Sequence, residues 1–148
     1  MLTIQYPEPD FRTREENGRG YIFDELRRKW LLLTPEEWVR QNFIRYLIRV
    51  MEYPATMLAQ EKKLMLGDLP KRFDLLVYDA GHQPWMMVEC KASTVPLTDK
   101  VLHQLLRYHI SIPVSYMVIT NGANSYAWEK KEGSLVMLER LPGWTFNS

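Results

Sequence analysis

The chain has 148 residues, of which 46% are hydrophobic and 25% are charged. This composition is typical of a single soluble globular domain, and it excludes a disordered or fibrous chain. Nineteen basic and eighteen acidic residues leave a net charge of only +1, so any nucleic-acid binding would need basic residues concentrated on one face.

Residues 1–33 are predicted to form an N-terminal arm with a strand-like extension, ahead of a single folded domain at 34–148. Residues 1–20 are polar and contain two prolines and two glycines, which favours an arm or loop. The stretch 21–33, "YIFDELRRKWLLL", is mixed and is assigned neither to a helix nor to a strand.

The clearest helix signal begins at Thr34, in "TPEEWVRQNFIRYLIRVMEYP". Thr34 suits the N-cap, Pro35 suits the first helical position, and Glu37 completes a Thr-x-x-Glu capping box. Pro54 ends the helix. Helical spacing of apolar residues predicts a buried stripe formed by Val39, Phe43, Tyr46, Leu47 and Val50.

Three strand-like runs follow the helix, at about 57–66, 72–79 and 84–91, and the last two are joined by the turn residues of "DAGHQP". A second helix is predicted over 97–110. Its apolar side is expected to carry Val101, Leu102, Leu105 and Ile110.

A compact buried strand is predicted at 114–120, and the dipeptide "NG" then turns the chain into "NSYAWEKK". Gly133 turns the chain again, into 134–140. The order of helix, three strands, helix and further strands predicts an α/β domain with a helix on each side of a central sheet.

The sequence has one cysteine, Cys90, which excludes an intramolecular disulfide and a Cys-based zinc site and fits the reducing cytoplasm. Cys90 is interpreted as a small core residue, and His82, His103 and His109 as structural or solvent-facing residues. No apolar stretch approaches the roughly 20 residues that span a membrane, so no membrane role is expected.

Basic residues form four short clusters, each of which is interpreted, when taken singly, as a solvated surface. They are Arg12, Arg14 and Arg19; Arg27, Arg28 and Lys29; Lys62 and Lys63; and Lys71 and Arg72.

The stretch "WMMVECKA" (85–92) places two charges at the end of an apolar strand. Because strand side chains alternate between faces, Glu89 and Lys91 share one face and Cys90 takes the other. If the second and third strand-like runs form a hairpin in which paired residue numbers sum to about 163, Asp74 lies opposite Glu89.

Two carboxylates in this register would have Cβ atoms ~5 Å apart, and two charges at that distance repel by ~3 kcal/mol at an effective dielectric constant of about 20. Lys91 would offset part of this repulsion, and a hard cation such as Mg²⁺ would offset more. Such a site suits phosphodiester hydrolysis, in which a metal activates water and a lysine orients water or stabilises charge. The alternative is a weak cross-strand ion pair at a sheet edge.

Four segments, "KRFDLLVYD", "WMMVECKA", "LHQLLRYHI" and "YMVITNG", resemble the N-terminal nuclease domain of type I restriction enzyme R subunits, over about residues 34–122. That domain belongs to the PD-(D/E)xK superfamily. The resemblance therefore implies a restriction-endonuclease-like α/β fold, with a central mixed sheet flanked by helices in the order α-β-β-β-α-β-β. Phe73 stands where the family usually has proline.

The resemblance also implies roles for individual residues. Asp74 matches the first catalytic acid of the family, and Glu89 and Lys91 match its Glu-x-Lys. Gln104 and Tyr108 match the Gln-x-x-x-Tyr of the type I branch, and their spacing places both on one helix face. That face would contact a DNA phosphate or the catalytic lysine; the alternative is an ordinary polar helix face.

The two catalytic acids would hold Mg²⁺ or Mn²⁺, supported by a glutamate on the first helix. The family places that glutamate four residues before an arginine, which selects Glu36, four before Arg40. Glu36 is expected to face the sheet, whereas Glu37 is expected to point elsewhere and to act in the cap. Glu61, on the first strand, is a second candidate acid or else a surface residue.

The resulting prediction is an Mg²⁺-dependent DNA endonuclease of the R-subunit N-terminal type. Its partners would be DNA and other restriction-system subunits or a translocase, and a homodimer is compatible with the sequence. No G-x-x-x-x-G-K-[ST] loop occurs, so ATP-driven translocation is not expected of this polypeptide. The alternatives are a catalytically silent nucleic-acid-binding or assembly module on the same fold, and an α/β domain whose charges are accidental.

Overall fold

The chain is described from a computed structural model that covers residues 1–145; residues 146–148 of the predicted domain lie outside the described part. The N-terminal part forms a three-stranded antiparallel sheet in the order β1-β2-β3. Its strands are β1 (Thr13–Glu16), β2 (Arg19–Asp24) and β3 (Lys29–Leu32).

The prediction of an arm or loop over residues 1–20 is therefore wrong where β1 and β2 form. The turn between them has positive φ at Asn17 (53°) and at Gly18 (75°), as a two-residue hairpin turn requires. Asn-Gly is the strongest short hairpin signal in a sequence, and "ENGRG" contains it.

Helix α1 (Pro35–Arg49) begins as predicted, with the Glu37 N–H donating to Thr34 Oγ1 over 3.0 Å. Only half of the capping box forms, because the Glu37 side chain accepts hydrogen bonds from Arg40 and Gln41 instead. Val50 was expected in the buried stripe but is 48% exposed, because it lies beyond the last helical residue and caps the helix.

The second sheet has six strands, in the order β4-β5-β6-β7-β8-β9. Its pairs are antiparallel except for the parallel pair β6–β7, so the predicted mixed sheet is confirmed. The remaining elements are a 3-10 turn (Ala55–Met57), β4 (Leu58–Leu66), β5 (Leu69–Tyr78), β6 (Pro84–Cys90), α2 (Asp99–His109), β7 (Tyr116–Thr120), β8 (Ser125–Lys131) and β9 (Ser134–Leu138).

From α1 onwards the elements follow the predicted order of helix, three strands, helix and two strands, with β9 as a further edge strand. The assignment to the restriction-endonuclease-like fold class stays a prediction. Within residues 1–145, neither helix is long and apolar enough to cross a membrane.

Apolar residues on the two faces of the six-stranded sheet form separate cores, one under each helix. The first core contains Val39, Phe43 and Leu47 of α1 with Leu75, Val77, Met86, Val88 and Cys90 of the sheet. The second contains Leu102 and Leu106 of α2 with Leu76, Met87, Met117 and Ile119. Ile110, expected on the apolar side of α2, is 46% exposed because it lies past the helix end.

The predicted hairpin register between β5 and β6 is confirmed, since Leu75 pairs with Val88 and Leu76 with Met87, and both pairs sum to 163. The ladder ends at the Leu75–Val88 pair. Asp74 and Glu89 therefore lie immediately beyond the last paired residues, where the two strands separate.

Candidate active site

Asp74 lies on β5 just past the end of the β5–β6 ladder, and its side-chain carboxylate takes the place of a backbone acceptor for β6. The Cys90 N–H donates to Asp74 Oδ2 over 2.7 Å, and Arg40 Nη1 lies 3.5 Å from Asp74 Oδ1. Burial, reinforced by the charge of Glu89, raises the pKa of Asp74 to about 7. Asp74 thus changes its charge near neutral pH.

Glu89 lies between two basic side chains at the end of β6. Its Oε1 is 3.2 Å from Lys91 Nζ, and its Oε2 is 3.5 Å from His109 Nε2. Burial alone would raise the pKa of Glu89, but the hydrogen bond with His109 and the charge of Lys91 outweigh it and lower that pKa. At neutral pH Glu89 is therefore an ionised carboxylate, and the neighbouring Asp74 is about half protonated.

The carboxylates share a cavity of about 290 Å³. Its lining consists of Glu36, Arg40, Glu61, Arg72, Phe73, Asp74 and Glu89. Carboxylate oxygens are hard donors of the kind that Mg²⁺ prefers, so the donor chemistry fits the predicted metal. Within residues 1–145, however, no three His, Cys, Asp or Glu side chains are arranged to hold an ion. A bound cation would have to draw these carboxylates closer together.

Arg40 supplies the positive charge inside this cavity. Its Nη2 lies 2.5 Å from Glu37 Oε1 and 3.0 Å from Glu61 Oε1, in addition to its contact with Asp74. Burial opposes its charge, but the hydrogen bonds and charge of Glu37 outweigh burial and raise the pKa of Arg40. Arg40 is thus a permanent cation that joins α1 to both strands of the β4–β5 pair.

The structure reverses the expected orientations of two glutamates on α1. Glu37 is buried, because it shares a helix face with Arg40 three residues later and pairs with it. Glu36 is exposed, yet it lines the cavity, and its charge contributes to the raised pKa of Asp74. Glu61 is half-exposed and bridges Arg40 and Arg27. Of the three acids, Glu36 and Glu61 face the cavity and Glu37 fixes Arg40.

Comparison with known protein families gives one match, over residues 35–142, to the family described as the type I restriction enzyme R protein N terminus. The chain belongs to this family. The predicted resemblance is thereby confirmed, and membership implies a role in a restriction-modification system. The match begins at α1 and extends past β9, so that β1–β3 precede it. No curated protein matches the chain.

The residues predicted to match the Gln-x-x-x-Tyr pattern lie on the solvent side of α2. Gln104 and Tyr108 are both exposed. Lys71 Nζ lies 3.7 Å from the centre of the Tyr108 ring and donates to the Tyr108 carbonyl over 2.8 Å. Within residues 1–145, neither Gln104 nor Tyr108 makes a hydrogen bond to Lys91. Both side chains are therefore accessible to solvent, and the alternative contact with Lys91 is not formed.

His109, at the end of α2, connects the helix to the site instead. It is buried, packs against Phe73 (tilted, ring centres 5.8 Å apart) and edge to face against Tyr108 (4.7 Å), and reaches Glu89. Its interpretation as a structural residue agrees with this burial, but its contact with Glu89 was missed. No spacing pattern signals that contact, because it depends on how α2 packs across the sheet.

We expect His109→Phe to raise the pKa of Glu89, because phenylalanine keeps the ring packing but removes the hydrogen bond to the carboxylate. The free energy of unfolding should fall by about 1.5–3 kcal/mol at neutral pH, the usual contribution of a hydrogen bond to a charged group. Carboxyl NMR titration and urea unfolding measure the two effects. His103→Phe, at an exposed position on the same helix, is the control; an unchanged Glu89 titration in His109→Phe would contradict the coupling.

Proposed function

We propose that the protein is a metal-dependent DNA endonuclease with a restriction-endonuclease-like fold, which hydrolyses phosphodiester bonds in DNA. The observation that carries this proposal is the shared cavity of Asp74 and Glu89, with Lys91 Nζ 3.2 Å from Glu89. Family membership supports it independently, because the match spans β5 and β6, which carry Asp74 and Glu89, and Lys91, which follows β6.

Asp74 and Glu89 would hold Mg²⁺ or Mn²⁺, with Glu36 as the auxiliary acid. The bound metal would polarise the scissile phosphate and lower the pKa of the attacking water. Lys91 is 30% exposed, so its ammonium can reach a phosphate oxygen or a water while Glu89 orients it. Arg40 holds Asp74 in place through the contact with its Oδ1.

The partners that follow from this proposal are DNA as substrate and other subunits of a restriction system, including a translocase. Gln104 and Tyr108 would contact DNA phosphate groups from the exposed face of α2. Both side chains are accessible without any change in the fold.

We expect Lys91→Ala to reduce Mg²⁺-dependent nicking of supercoiled plasmid by about 10²–10³-fold, because an amine that stabilises transition-state charge is worth that much. Lys131→Ala, which removes an exposed lysine at the end of β8, away from the cavity and from α2, should nick at the wild-type rate. Cleavage by Lys91→Ala at the wild-type rate would show that the site is wrongly assigned.

The second candidate function is a catalytically silent DNA-binding or assembly module. The observation in its favour is that Arg40 already forms ion pairs with Asp74, Glu61 and Glu37 without a metal. This module would bind DNA in a salt-dependent manner and would produce no nicks with either Mg²⁺ or Mn²⁺.

A further inference from the structure

The outer face of the N-terminal sheet combines arginines with aromatic rings. Arg12 Cζ lies 4.4 Å from the centre of the Phe23 ring, and Arg14 Cζ lies 4.4 Å from that of Trp30. The two rings meet edge to face, with centres 5.3 Å apart. By strand alternation and register, eight residues lie on this arginine–aromatic face: Arg12, Arg14, Glu16, Arg19, Tyr21, Phe23, Trp30 and Leu32.

The sheet that carries this face is anchored to the α1–β4 region by its β2–β3 loop. Asp24 is fully buried, and it accepts hydrogen bonds from the N–H groups of Leu26 and Arg27 and, over 3.1 Å, from Gln60 Nε2. Arg27 Nη1 lies 3.3 Å from Glu61 Oε2. These contacts hold the loop against β4.

A second anchor lies just before β1. The Phe11 ring packs edge to face on Trp38 of α1, with centres 5.3 Å apart, and Arg45 Cζ lies 3.8 Å from the centre of the Phe11 ring. Asp10 pairs with Arg45 and Arg49. Both anchors lie at the same end of the sheet, because β1 and β2 are antiparallel, and together they fix that end against α1 and β4.

The sheet also contacts the wall of the candidate active site. Glu61 bonds Arg27 of the β2–β3 loop on one side and Arg40 on the other, and Arg40 contacts Asp74. The Glu61 carboxylate thus connects the β2–β3 loop to Arg40, which lines the cavity. A ligand bound to the arginine–aromatic face would therefore be held on a sheet that lies next to the candidate active site.

The charges of this face suit an anionic ligand. It carries three arginines and one acidic residue, Glu16, whereas the whole chain has a net charge of only +1. Within residues 1–145, no carboxylate lies within ion-pair distance of Arg12 or Arg19, and the Arg14–Glu16 pair is exposed, at 3.5 Å. A guanidinium stacked on an aromatic ring keeps its N–H edge free for phosphate oxygens and loses less side-chain entropy on binding.

We propose that the arginine–aromatic face binds the phosphate backbone of DNA, independently of base sequence, and holds the strand beside the cavity. The choice of DNA as the polyanion rests on the proposed function. The arginines were interpreted as a solvated surface when taken singly; the sheet brings them together and places rings beneath two of them.

The test is metal-free DNA binding, measured in EDTA by fluorescence anisotropy with labelled duplex and single-stranded oligonucleotides over a range of salt concentrations. Arg12→Gln/Arg14→Gln should weaken duplex binding roughly tenfold and reduce the slope of log K against log salt by about two, one for each lost phosphate contact. Single-stranded DNA should lose affinity with a smaller change in slope.

The matched control is Lys131→Gln/Arg140→Gln, which removes the same charge and likewise breaks one exposed ion pair, next to the far edge strand β9. This control should bind DNA as the wild type does. Arg12→Lys/Arg14→Lys, which keeps the charge but loses the planar stacking, should show a smaller loss than the glutamine pair. It also serves as the test variant if the glutamine pair lowers the melting temperature.

Equal losses in the test and control pairs would overturn the proposal, because bulk charge would then explain binding. Unchanged DNA affinity in the test pair would also overturn the proposal and would favour a protein as the ligand of this face. Plasmid nicking is scored separately. If the test pair binds DNA more weakly but the wild type does not nick plasmid, the proposed nuclease activity is wrong and the DNA-binding face is supported. If the wild type nicks plasmid but the test pair binds DNA unchanged, the nuclease activity is supported and the DNA-binding face is wrong.

Discussion

Asp74→Asn is expected to abolish metal-dependent nicking while stabilising the fold above neutral pH. Removal of a metal-binding carboxylate should cost on the order of 10³-fold in cleavage rate. The same substitution removes a carboxyl group whose burial, together with the charge of Glu89, raises its pKa to about 7. Activity and stability should therefore change in opposite directions.

The sign of the stability change follows from proton binding. Asp74 has a pKa of about 7 in the folded chain, against an ordinary value of 3.8, so the folded state retains a proton that the unfolded state releases. The contribution of Asp74 to the free energy of unfolding should therefore be highest below pH ~4 and should be lost as the pH rises through 7. The difference between these two pKa values sets an upper limit of ~4 kcal/mol for that loss.

Asparagine has no proton to release, so the variant should lack this loss. The free energy of unfolding of Asp74→Asn should equal that of the wild type near pH 4 and exceed it at pH 8. The gain should be smaller than the upper limit, because asparagine loses the charge attraction between residue 74 and Arg40. Urea unfolding across this range measures the difference. Asp68→Asn, at an exposed aspartate between β4 and β5, should leave the pH profile unchanged; a profile of Asp74→Asn that parallels the wild type would contradict the raised pKa.

Arg40→Met is expected to lower the free energy of unfolding by about 3–5 kcal/mol, because removing one partner from a buried ionic cluster leaves the others uncompensated. Glu37 and Asp74 would lose their cation, and both are largely buried. Loss of the Arg40 charge should also raise the pKa of Asp74 further. Chemical denaturation at pH 7 measures the stability loss.

Arg49→Met on the same helix is the matched control, because Arg49 pairs with Asp10 at an exposed site and such pairs contribute less than about 1 kcal/mol. Arg40→Met/Glu37→Gln should recover part of the loss, since it removes the carboxylate that Arg40 binds most closely. Equal losses for Arg40→Met and Arg49→Met would show that the Arg40 cluster does not stabilise the fold.

Local signals predicted a large part of this fold. Thr34 and Pro35 defined the start of α1 because capping depends on neighbouring residues. The short turn between β5 and β6 fixed their register, and strand alternation then placed Asp74 next to Glu89 and Cys90 in the core.

The contacts that the sequence did not predict are made between distant elements. Arg40 reaches Asp74 across 34 positions, and Glu89 reaches His109 across 20. These contacts depend on how each helix packs on the sheet, which no local spacing specifies. The arginine–aromatic face was missed for a different reason. The Asn-Gly turn that forms its sheet was present in the sequence but was interpreted as part of a loop.

Because the β5–β6 ladder ends at the Leu75–Val88 pair, the main-chain N–H of Cys90 has no acceptor on the β5 backbone. A side-chain carboxylate, not a neighbouring strand, holds the Cys90 amide. The strength of that hydrogen bond therefore depends on whether Asp74 is protonated, whereas a hydrogen bond between two backbone groups of a ladder would not. Displacement of Asp74 would leave this main-chain amide at the end of β6, one residue from Glu89, without its acceptor, so that its hydrogen exchange would report on the state of the site.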